Sequence, residues 1–546
     1  MRGLRITDSP EGPVLYSDDK PLYHPQHPKS RARETARREN IRGQTLVLVP
    51  SPLFGYGLDE LLENLPAESR LLCVEHDEEL MAASLSHFPR ELLHDPRLAF
   101  VRAADVRQAC AFATQRFGAH LFRRVAVVSL TRGYSLFPDF YRELSAGLLD
   151  MIQTYWRNRM TALHMGRLWM GNLFTNLTAL PACRPLTDLR FSRPLVLAGA
   201  GESLERHLDF LSSRRAEFSL VCVDTALPVL RRAGLTPDLI IIAEAQFANM
   251  YDFAGLGKDG WNIPIAADLS SYPGIFRRFT GARYVFLSRF TELAWFDLDD
   301  VKTILPPFIP PLGSVGVMAL YIAALAAAEN CPVFLAGMDL RYTAGKPHAK
   351  GSPTHTLLLA GENRLSYPRY LASWYARPRE KAPLAAGGTA VVDAVLASYR
   401  NALREIAQSR KNVYSLEGEG LEVGAPLVSH EEVQKHFTRA GNKEEASLCA
   451  SGSDAQRTAA GQTVWTADAI NIFCNTQISQ LAKIASSVRK VSDEDIKKCD
   501  YLLLDSPENP PYPLEDAGFI RHVCERAAWY AQRLSRALCA GIPPQQ

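Results

Sequence analysis

The chain has 546 residues, of which 47% are hydrophobic and 22% are charged, and its formal net charge is +2. A chain of this length is too long to fold around a single hydrophobic core, so several globular domains are expected. The near-neutral charge balance gives no indication of a nucleic-acid partner, because proteins that bind nucleic acid concentrate positive charge. The ten cysteines form no CxxC pair, which favours buried, reduced thiols over disulfides or structural zinc.

The N-terminal stretch, MRGLRITDSPEGP, contains no apolar region of a secretory signal. The longest run of small apolar residues, 315–328, is shorter than the about 20 residues that cross a bilayer. We therefore expect a cytoplasmic protein without a membrane span. Residues 1–43 are polar and rich in arginine, which favours a solvated leader helix, with a basic binding patch as the alternative.

A first α/β unit is predicted to follow, in a domain that covers residues 1–140. Its predicted elements are strands at 46–50, 71–74 and 125–128, a tight turn at 51–57 and a helix at 58–65. Glu75 ends the second strand, as does the ribose-binding acid of dinucleotide folds, but the turn lacks a GxGxxG pattern. Pro50 and Pro52 also remove backbone donors that a pyrophosphate needs. The pattern favours a degenerate or purely structural Rossmann-like unit.

Residues 141–190 form a predicted helical connector. Apolar residues recur every three or four positions from 141 to 180 without an interior proline, which predicts one long helix or a helix pair. Asn172 and Asn176 lie four positions apart and therefore share a face of that helix. They either form hydrogen bonds across a domain interface or lie exposed, and the pattern favours neither.

The central domain, residues 191–427, begins with a strand, a Gly-rich turn, a helix, a strand, a helix and a strand. This order is half of a doubly wound parallel sheet, in which ligands bind beyond the carboxyl ends of the strands. The turn at 199–203, Asp224 and Glu244 follow three of these strands, so an active site is expected there. The predicted strands are 195–198, 220–223, 239–243, 264–268, 284–287, 333–336 and 412–416, with helices at 315–329 and 393–410 and a mobile loop at 376–392.

Residues 428–546 are predicted as a helical C-terminal region. A polar, aperiodic stretch at 440–463 is typical of a linker, and helical patterns follow it to residue 540. The predicted fold class is therefore α/β, with a Rossmann-like N-terminal domain, a doubly wound central domain and a helical C-terminal region.

Two helix starts of the central domain could hold an anionic ligand. Gly199 and Gly201 let backbone amides approach a ligand, and Ser203 precedes a helix whose N-terminus carries about half a positive charge. Ser203 is also a suitable helix N-cap, which is the purely structural alternative. The second start carries Ser314 and Gly316 and opens the helix at 315–329.

The loop after the strand at 333–336 carries several side chains that could take part in catalysis. Asp339 and Tyr342 lie near the strand end, and Lys346, His348 and His355 follow. Such a loop could supply a general base and a cation for a leaving phosphate. The alternatives are solvated histidines and an aspartate that caps a turn. The histidine spacing matches no metal-ligand pattern, and no GxSxG elbow occurs, so neither a metal site nor a serine hydrolase is expected.

Two segments resemble a known family: GAGESL…TPDLIIIAE at 199–244 and GSVGVMAL…GKPHAKG at 313–351. Together they are similar to the MptE-like central domain of bacterial motility-associated factor (Maf) proteins, which are flagellin glycosyltransferases. The resemblance implies transfer of a nonulosonic acid, of the pseudaminic or legionaminic type, from a CMP-activated donor to Ser or Thr of flagellin. It also implies a sialyltransferase-like central domain that acts by an inverting mechanism, without a metal or a further cofactor.

Carried onto this chain, the resemblance implies roles for the candidate residues. The residues that would hold CMP are Gly199, Gly201, Ser203, Asp224, Asp238, Glu244, Ser314 and Gly316. Those that would lie near the transferring sugar are Asp339, Tyr342 and His348. His348 is the first candidate for the general base and His355 the second. Glu244 stands where the family commonly has Asp, and the early PSPLFGYG turn is poorer in glycine than usual.

Two other functions stay open from the sequence. The same family of central domains includes archaeal hydroxymethylpterin pyrophosphokinases, so a transferase that uses ATP and Mg²⁺ on a small molecule is the first alternative. The second is a non-catalytic factor that binds flagellin, because the large N- and C-terminal regions suit a protein partner.

Overall fold

The structure, a computed structural model, describes residues 3–341, 343, 346–361, 363–365, 379–440, 465–487, 491–506 and 512–540. The chain forms two compact units, Met1–Thr161 and Ala162–Gln546. Each unit contains a parallel sheet and helices, which confirms the predicted mixed α/β class. The predicted division into four domains, with boundaries at 140, 190 and 427, stays a prediction.

The first unit contains a four-stranded parallel sheet and a three-stranded antiparallel sheet. The strands are β1 (Leu4–Ser9), β2 (Gly12–Ser17), β3 (Lys20–Pro21), β4 (Thr45–Pro50), β5 (Arg70–Glu75), β6 (Leu98–Arg102) and β7 (Arg124–Val127). The helices are α1 (Pro28–Arg38), α2 (Leu58–Glu63), α3 (Glu78–Leu85), α4 (Val106–Phe117) and α5 (Pro138–Asn176), whose last residues belong to the second unit. The parallel sheet has the order β6-β5-β4-β7, and β4 is buried throughout, as expected for a continuous apolar run.

The N-terminal segment differs from the predicted leader helix. Only α1 is helical, while β1, β2 and β3 pair as an antiparallel sheet. This sheet buries the apolar side chains of Val14 and Leu15, and most of its other residues are at least partly exposed. Because few apolar residues recur there, no period of two marked these strands in the sequence.

The carboxyl ends of β4 and β5 meet at a crevice that the first unit fills with its own side chains. Leu53 and Phe54, in the turn after β4, are completely buried and pack with Tyr23 in one apolar cluster. Glu75 is also completely buried, and its carboxylate accepts a hydrogen bond from Ser51 Oγ at 2.6 Å. The position that binds ribose in a dinucleotide fold is thus engaged in an internal contact, which supports the purely structural interpretation of this unit.

The second unit contains the main sheet of the molecule. Its strands are β8 (Arg184–Pro185), β9 (Leu195–Ala198), β10 (Ser219–Val223), β11 (Leu239–Ile242), β12 (Ile265–Asp268), β13 (Arg283–Ser288), β14 (Phe308–Ile309), β15 (Val333–Ala336), β16 (Arg379–Pro383), β17 (Thr389–Asp393), β18 (Val413–Leu416) and β19 (Leu427–Val428). Its helices are α6 (Leu204–Ser213), α7 (Leu227–Arg232), α8 (Pro273–Phe276), α9 (Asp299–Lys302), α10 (Val315–Ala326), α11 (Pro353–Ala360), α12 (Ala394–Gln408), α13 (His430–Ala440), α14 (Ala467–Ala485), α15 (Asp493–Lys498) and α16 (Ala517–Cys539).

The main sheet has the order β14-β13-β12-β11-β10-β9-β15-β18-β19, with β8 beside β13, and all its pairs are parallel. Strands β10 to β14 extend from one side of β9, and β15, β18 and β19 lie on the other side. The strand order therefore reverses between β9 and β15. In doubly wound sheets such a switch point is where ligands bind, beyond the carboxyl ends of the strands.

Three segments outside the main sheet bear on the sequence predictions. Residues 379–393, which include all but the first three residues of the predicted mobile loop, form an antiparallel hairpin of β16 and β17, while 376–378 lie outside the described residues. The predicted linker lies outside them as well, from residue 441 onwards. The C-terminal helices α14 and α16 share the hydrophobic core of the main sheet. In the described part of the chain, no helix is both long and apolar enough to cross a membrane.

Asn172 and Asn176, near the end of α5, are buried and bind the loops that follow β11 and β12. Asn172 Nδ2 donates to the carbonyl oxygens of Ala245, at 2.9 Å, and Ser270, at 3.1 Å. Asn176 Nδ2 donates to two further carbonyls of the loop 269–271, both at 2.9 Å. The two side chains therefore act inside the second unit, where they fix the strand ends, and neither is exposed.

Candidate functional site

A cavity of about 700 Å³ lies at the switch point of the main sheet, beyond the carboxyl ends of β9, β10 and β15. Its walls come from the turn after β9, the end of β10, the start of α10, the loop after β15 and the first turns of α12. The lining residues that the sequence predicted are Gly199, Gly201, Asp224, Ser314, Gly316, Asp339 and His348. The topology thus brings together two motifs that are far apart in the chain.

Two glycine turns form one side of this cavity, and their backbones contact each other. Gly199 N donates to Ala336 O and Gly201 N donates to Gly337 O, both at 2.8 Å. A Cβ atom on Gly199 would lie 2.6 Å from Gly337 O, and Gly337 itself has a φ of +68°. The glycines therefore permit close packing of two backbone turns. Their amides are bound within the protein, which corrects the expectation that they approach a ligand.

Asp339 binds the N-terminus of α6 through Ser203. Its Oδ2 accepts from Ser203 N at 2.8 Å, and its Oδ1 accepts from Ser203 Oγ. Ser203 makes no capping bond with its own helix and does not line the cavity. Burial raises the pKa of Asp339 above its usual value, although the bonds from Ser203 oppose that rise. An internal carboxylate thus occupies the helix end where the sequence predicted a nucleotide.

The start of α10 is a helix N-terminus that faces the cavity. Ser314, Val315 and Gly316 all line it, and Ser314 caps the helix by accepting a hydrogen bond from Gly316 N at 3.3 Å. Such a helix end carries about half a positive charge. An anionic group in the cavity could therefore reach the predicted residues Ser314 and Gly316.

His348 is a basic side chain of the cavity wall. Burial lowers the pKa of its imidazole below the usual value, although a hydrogen bond to the backbone of Ala200 acts in the opposite direction. The ring is mostly neutral at pH 7 and can accept a proton. His355, in α11, is not among the lining residues. Tyr342, the other predicted group of this loop, lies outside the described residues.

Arg341 lines the cavity and is one functional candidate that was not predicted from the sequence. Its Nη1 donates to Glu419 O at 2.8 Å. Lys346, the cation that the sequence assigned to a leaving phosphate, is instead paired with Glu202 at 3.2 Å and Glu205 at 2.9 Å. The signal that could have identified Arg341 is its place in the loop directly after β15, at the switch point.

Asp224, directly after β10, is a buried carboxyl that lines the cavity. Its Oδ2 accepts from Asn249 Nδ2 at 2.8 Å, and the same nitrogen donates to Asp252 Oδ2 at 3.0 Å. Burial raises the pKa of Asp224 to about 6 and that of Asp252 to about 7. Asn249 and Asp252 belong to a short helical segment, Phe247–Phe253, that carries no motif, so the sequence did not indicate them.

Asp238 was predicted beside the nucleotide, and the structure corrects that placement. Asp238 comes directly before β11, so it lies at the amino end of the strand, opposite the cavity. Its carboxylate accepts from Leu220 N at 2.7 Å and pairs with Arg215 at 2.8 Å. Glu244 does follow β11, but it is not a lining residue, and its Oε1 accepts from Gln246 N at 2.8 Å.

The cavity offers hydrogen-bonding and charged groups for its chemistry. Across the described ranges, no three His, Cys, Asp or Glu side chains are placed to hold a metal ion, and the nine cysteines there are free thiols. The start of α10 and Arg341 are positive groups of the cavity lining that can stabilise an anion.

The sequence is similar to one protein family and to two further proteins. Residues 168–345, which include β9 to β15, match the family described as 6-hydroxymethylpterin diphosphokinase MptE-like. An uncharacterised protein of Treponema pallidum (strain Nichols) is 28% identical over 416 residues, which span 75% of this chain and 71% of that protein. A second uncharacterised protein of the same organism is 34% identical over 86 residues, which span 16% of this chain and 41% of that protein.

The fold has a solved counterpart. The structure of the Maf glycosyltransferase from Magnetospirillum magneticum AMB-1 superposes with a TM-score of 0.56, covering 98% of this chain and 90% of that chain at 13% sequence identity. The structural neighbour and the matched central segment agree with the resemblance carried by the two sequence motifs. This chain therefore has the fold of a Maf glycosyltransferase, with an MptE-like segment at the centre of its sequence.

Proposed function

We propose that this protein is a glycosyltransferase that moves a nonulosonic acid, of the pseudaminic or legionaminic type, from a CMP-activated donor to a serine or threonine of flagellin. The observation that carries the proposal is the cavity at the switch point, which combines a helix N-terminus, an arginine and a neutral histidine. The Maf fold and the MptE-like segment support transferase chemistry in this place.

The charges of the cavity suit such a donor. A CMP-activated nonulosonic acid carries negative charge on its phosphodiester and on its sugar carboxylate. The N-terminus of α10 and the guanidinium of Arg341 are the positive groups that would bind these two anions. Asp224 lies at the end of the second strand of the βαβ order, where an acid accepts hydrogen bonds from ribose hydroxyls.

The proposed reaction is a displacement at the anomeric carbon of the sugar. The hydroxyl of the acceptor gives its proton to His348 while its oxygen bonds to the anomeric carbon. The bond from that carbon to the phosphate oxygen breaks, and CMP leaves with the electron pair. Attack from the face opposite CMP inverts the anomeric configuration. The start of α10 and Arg341 would stabilise the charge on the departing phosphate, so the reaction would need no metal.

Intact-mass measurement of flagellin tests this proposal. Flagellin from cells that carry the gene is expected to be heavier, by whole multiples of one sugar, than flagellin from cells that lack it. A strain that produces the His348→Ala variant at the same level is expected to yield flagellin of the unmodified mass. Equal masses with and without the gene would contradict the proposal.

One finding favours a second function, because the family that matches residues 168–345 is described by a diphosphokinase activity. On this alternative, the cavity would bind ATP with Mg²⁺ and transfer diphosphate to a small molecule. Transfer from a CMP-sugar that is unaffected by EDTA supports the glycosyltransferase. Release of AMP from ATP that EDTA abolishes supports the diphosphokinase. Flagellin binding without either reaction would leave the non-catalytic alternative.

A further inference from the structure

Asp224, in the cavity wall at the end of β10, is joined to a second carboxyl group, that of Asp252, by one side-chain amide. Asn249 Nδ2 donates to Asp224 at 2.8 Å and to Asp252 at 3.0 Å. Asn249 is 2% exposed, and its Oδ1 is a buried atom without a hydrogen-bond partner in the described part of the chain. Both protons of the amide are therefore committed to the two acids, and its orientation is fixed.

The groups that face this pair offer little compensation for two negative charges. Glu244, after β11, raises the pKa of both carboxyls through its own charge, and Cys222 of β10 is a buried thiol. Thr225 N donates to Asp224 at 2.8 Å. Among the described residues, no Lys or Arg forms an ion pair with Asp224 or Asp252. A buried and a half-buried carboxylate in this arrangement repel each other, so protonation of one is favoured.

The adjacent helices do not supply the missing cation. On α7, Arg231 donates to the carbonyl oxygen of Gly255 at 3.2 Å, and Arg232 lies against Gly351. The residues of α8 are uncharged, and Tyr272, which precedes α8, contacts the ring of Phe247. The carboxyl pair therefore depends on its own proton for partial neutralisation.

We propose that Asp252 is a positioning residue of the nucleotide site: joined to Asp224 by Asn249, it retains a proton, so that Asp224 faces the ribose of the donor within a pair that carries one negative charge. This inference rests on the proposed function, since the ligand is the nucleotide part of the CMP-sugar. Burial raises the pKa of Asp252 to about 7, above that of Asp224, whose carboxylate also accepts hydrogen bonds from Thr225 that lower its pKa. Above that pH the pair carries two negative charges and repels a ligand that contains a phosphate.

Binding of CMP, measured by isothermal titration calorimetry from about pH 5.5 to about pH 8.5, tests this role. The wild type is compared with Asp252→Asn, and the ratio of their dissociation constants cancels the titration of the CMP phosphate. We expect the dissociation constant of the wild type, divided by that of Asp252→Asn, to be near one at the acidic end. At the alkaline end this ratio should rise about threefold to tenfold, because only the wild type then carries two negative charges in the pair. Asp259→Asn, at an exposed position further along the same loop, should match the wild type at every pH.

The outcomes separate this inference from the proposed function. A flat ratio, with CMP bound throughout, overturns the role of Asp252 and leaves the glycosyltransferase proposal intact. Failure of the wild type to bind CMP at any pH overturns both. If Asp252→Asn does not fold, a measurement on the wild type alone tests the inference. Near pH 8, the heat of CMP binding in two buffers of different ionisation enthalpy should reveal proton uptake, and its absence overturns the inference.

Discussion

The two units form parallel sheets with a similar local order, but they use the crevice at the strand ends in different ways. In the first unit, Leu53 and Phe54 fill the crevice, and the acid at the end of its second strand, Glu75, is completely buried. In the second unit a cavity of about 700 Å³ remains, and the acid at the corresponding position, Asp224, lines it. A strand, turn, helix and strand thus predict the architecture of such a unit, whereas the residues of the turn decide whether a ligand can enter.

Replacing His348 by alanine is expected to have the largest effect, and this effect concerns only the cavity of the second unit. Loss of the proton acceptor should lower kcat about 10²- to 10⁴-fold, the range that general-base catalysis contributes. His355→Ala is the matched control, because His355 lies on nearby α11 but does not line the cavity. Transfer from a CMP-sugar to flagellin would be assayed for both variants, and equal losses would contradict the assignment of the base.

Phe54→Ala probes the filled crevice of the first unit. Truncating this completely buried ring should lower the free energy of unfolding by about 3–5 kcal/mol. The affinity of the second unit for CMP is expected to stay unchanged. Urea denaturation and calorimetry measure the two quantities, with Leu93→Ala, at an exposed position, as a control that costs less than about 0.5 kcal/mol. Loss of CMP binding by the folded variant would refute the contrast between the crevices.

Arg341→Ala sharpens the contrast by removing a positive side chain from the open cavity. Because a hydrogen bond to a charged group is lost, KM for the CMP-sugar should rise about tenfold. Arg206→Ala is the control, since Arg206 pairs with the same residue, Glu419, but does not line the cavity. Steady-state kinetics distinguish the variants, and an unchanged KM in Arg341→Ala would remove Arg341 from the donor site.

The smallest expected effect is the pH dependence of stability. Burial raises the pKa of Asp224 and Asp252, so the folded protein binds these protons more tightly than the unfolded chain does. The resulting stabilisation is complete below the ordinary value of 3.8 and is lost as the pH rises through about 6 and about 7. Asp252→Asn should recover on the order of 1 kcal/mol of this loss at about pH 8. Urea denaturation at several pH values measures the free energy of unfolding of both proteins. The same dependence of this free energy on pH in the wild type and in Asp252→Asn would contradict the prediction.

Much of the second unit could be predicted from the sequence, because buried parallel strands are short, continuous apolar runs. The predicted strands at 195–198 and 333–336 coincide with β9 and β15, and the helical period of residues 141–180 indicated α5. Strands β1 to β3 and the hairpin of β16 and β17 were not predicted, since their residues are largely polar or exposed and follow no clear hydrophobic period.

The candidate site was predictable in outline and not in its contacts. Strand ends and glycine turns indicated where Asp224 and Asp339 would lie. The bond between Ser203 and Asp339 joins residues 136 positions apart, so only the pairing of β9 with β15 reveals it. Likewise, the loop geometry decides that Arg341, which pairs with Glu419, lines the cavity, while Lys346, which pairs with Glu202 and Glu205, does not.

The contact between Ser203 and Asp339 bears on how descendants of an ancestral enzyme would diverge. A turn whose amides are satisfied by the backbone at the end of β15 and by Asp339 contributes to the fold, whether or not a donor ever binds. A lineage that lost its activity would therefore retain the glycines and Asp339 under selection for a stable fold. Under the proposed function, the selection on Arg341 and His348 for donor binding and proton transfer would also be lost, so these two positions would discriminate active from inactive homologues better than the glycine motif does.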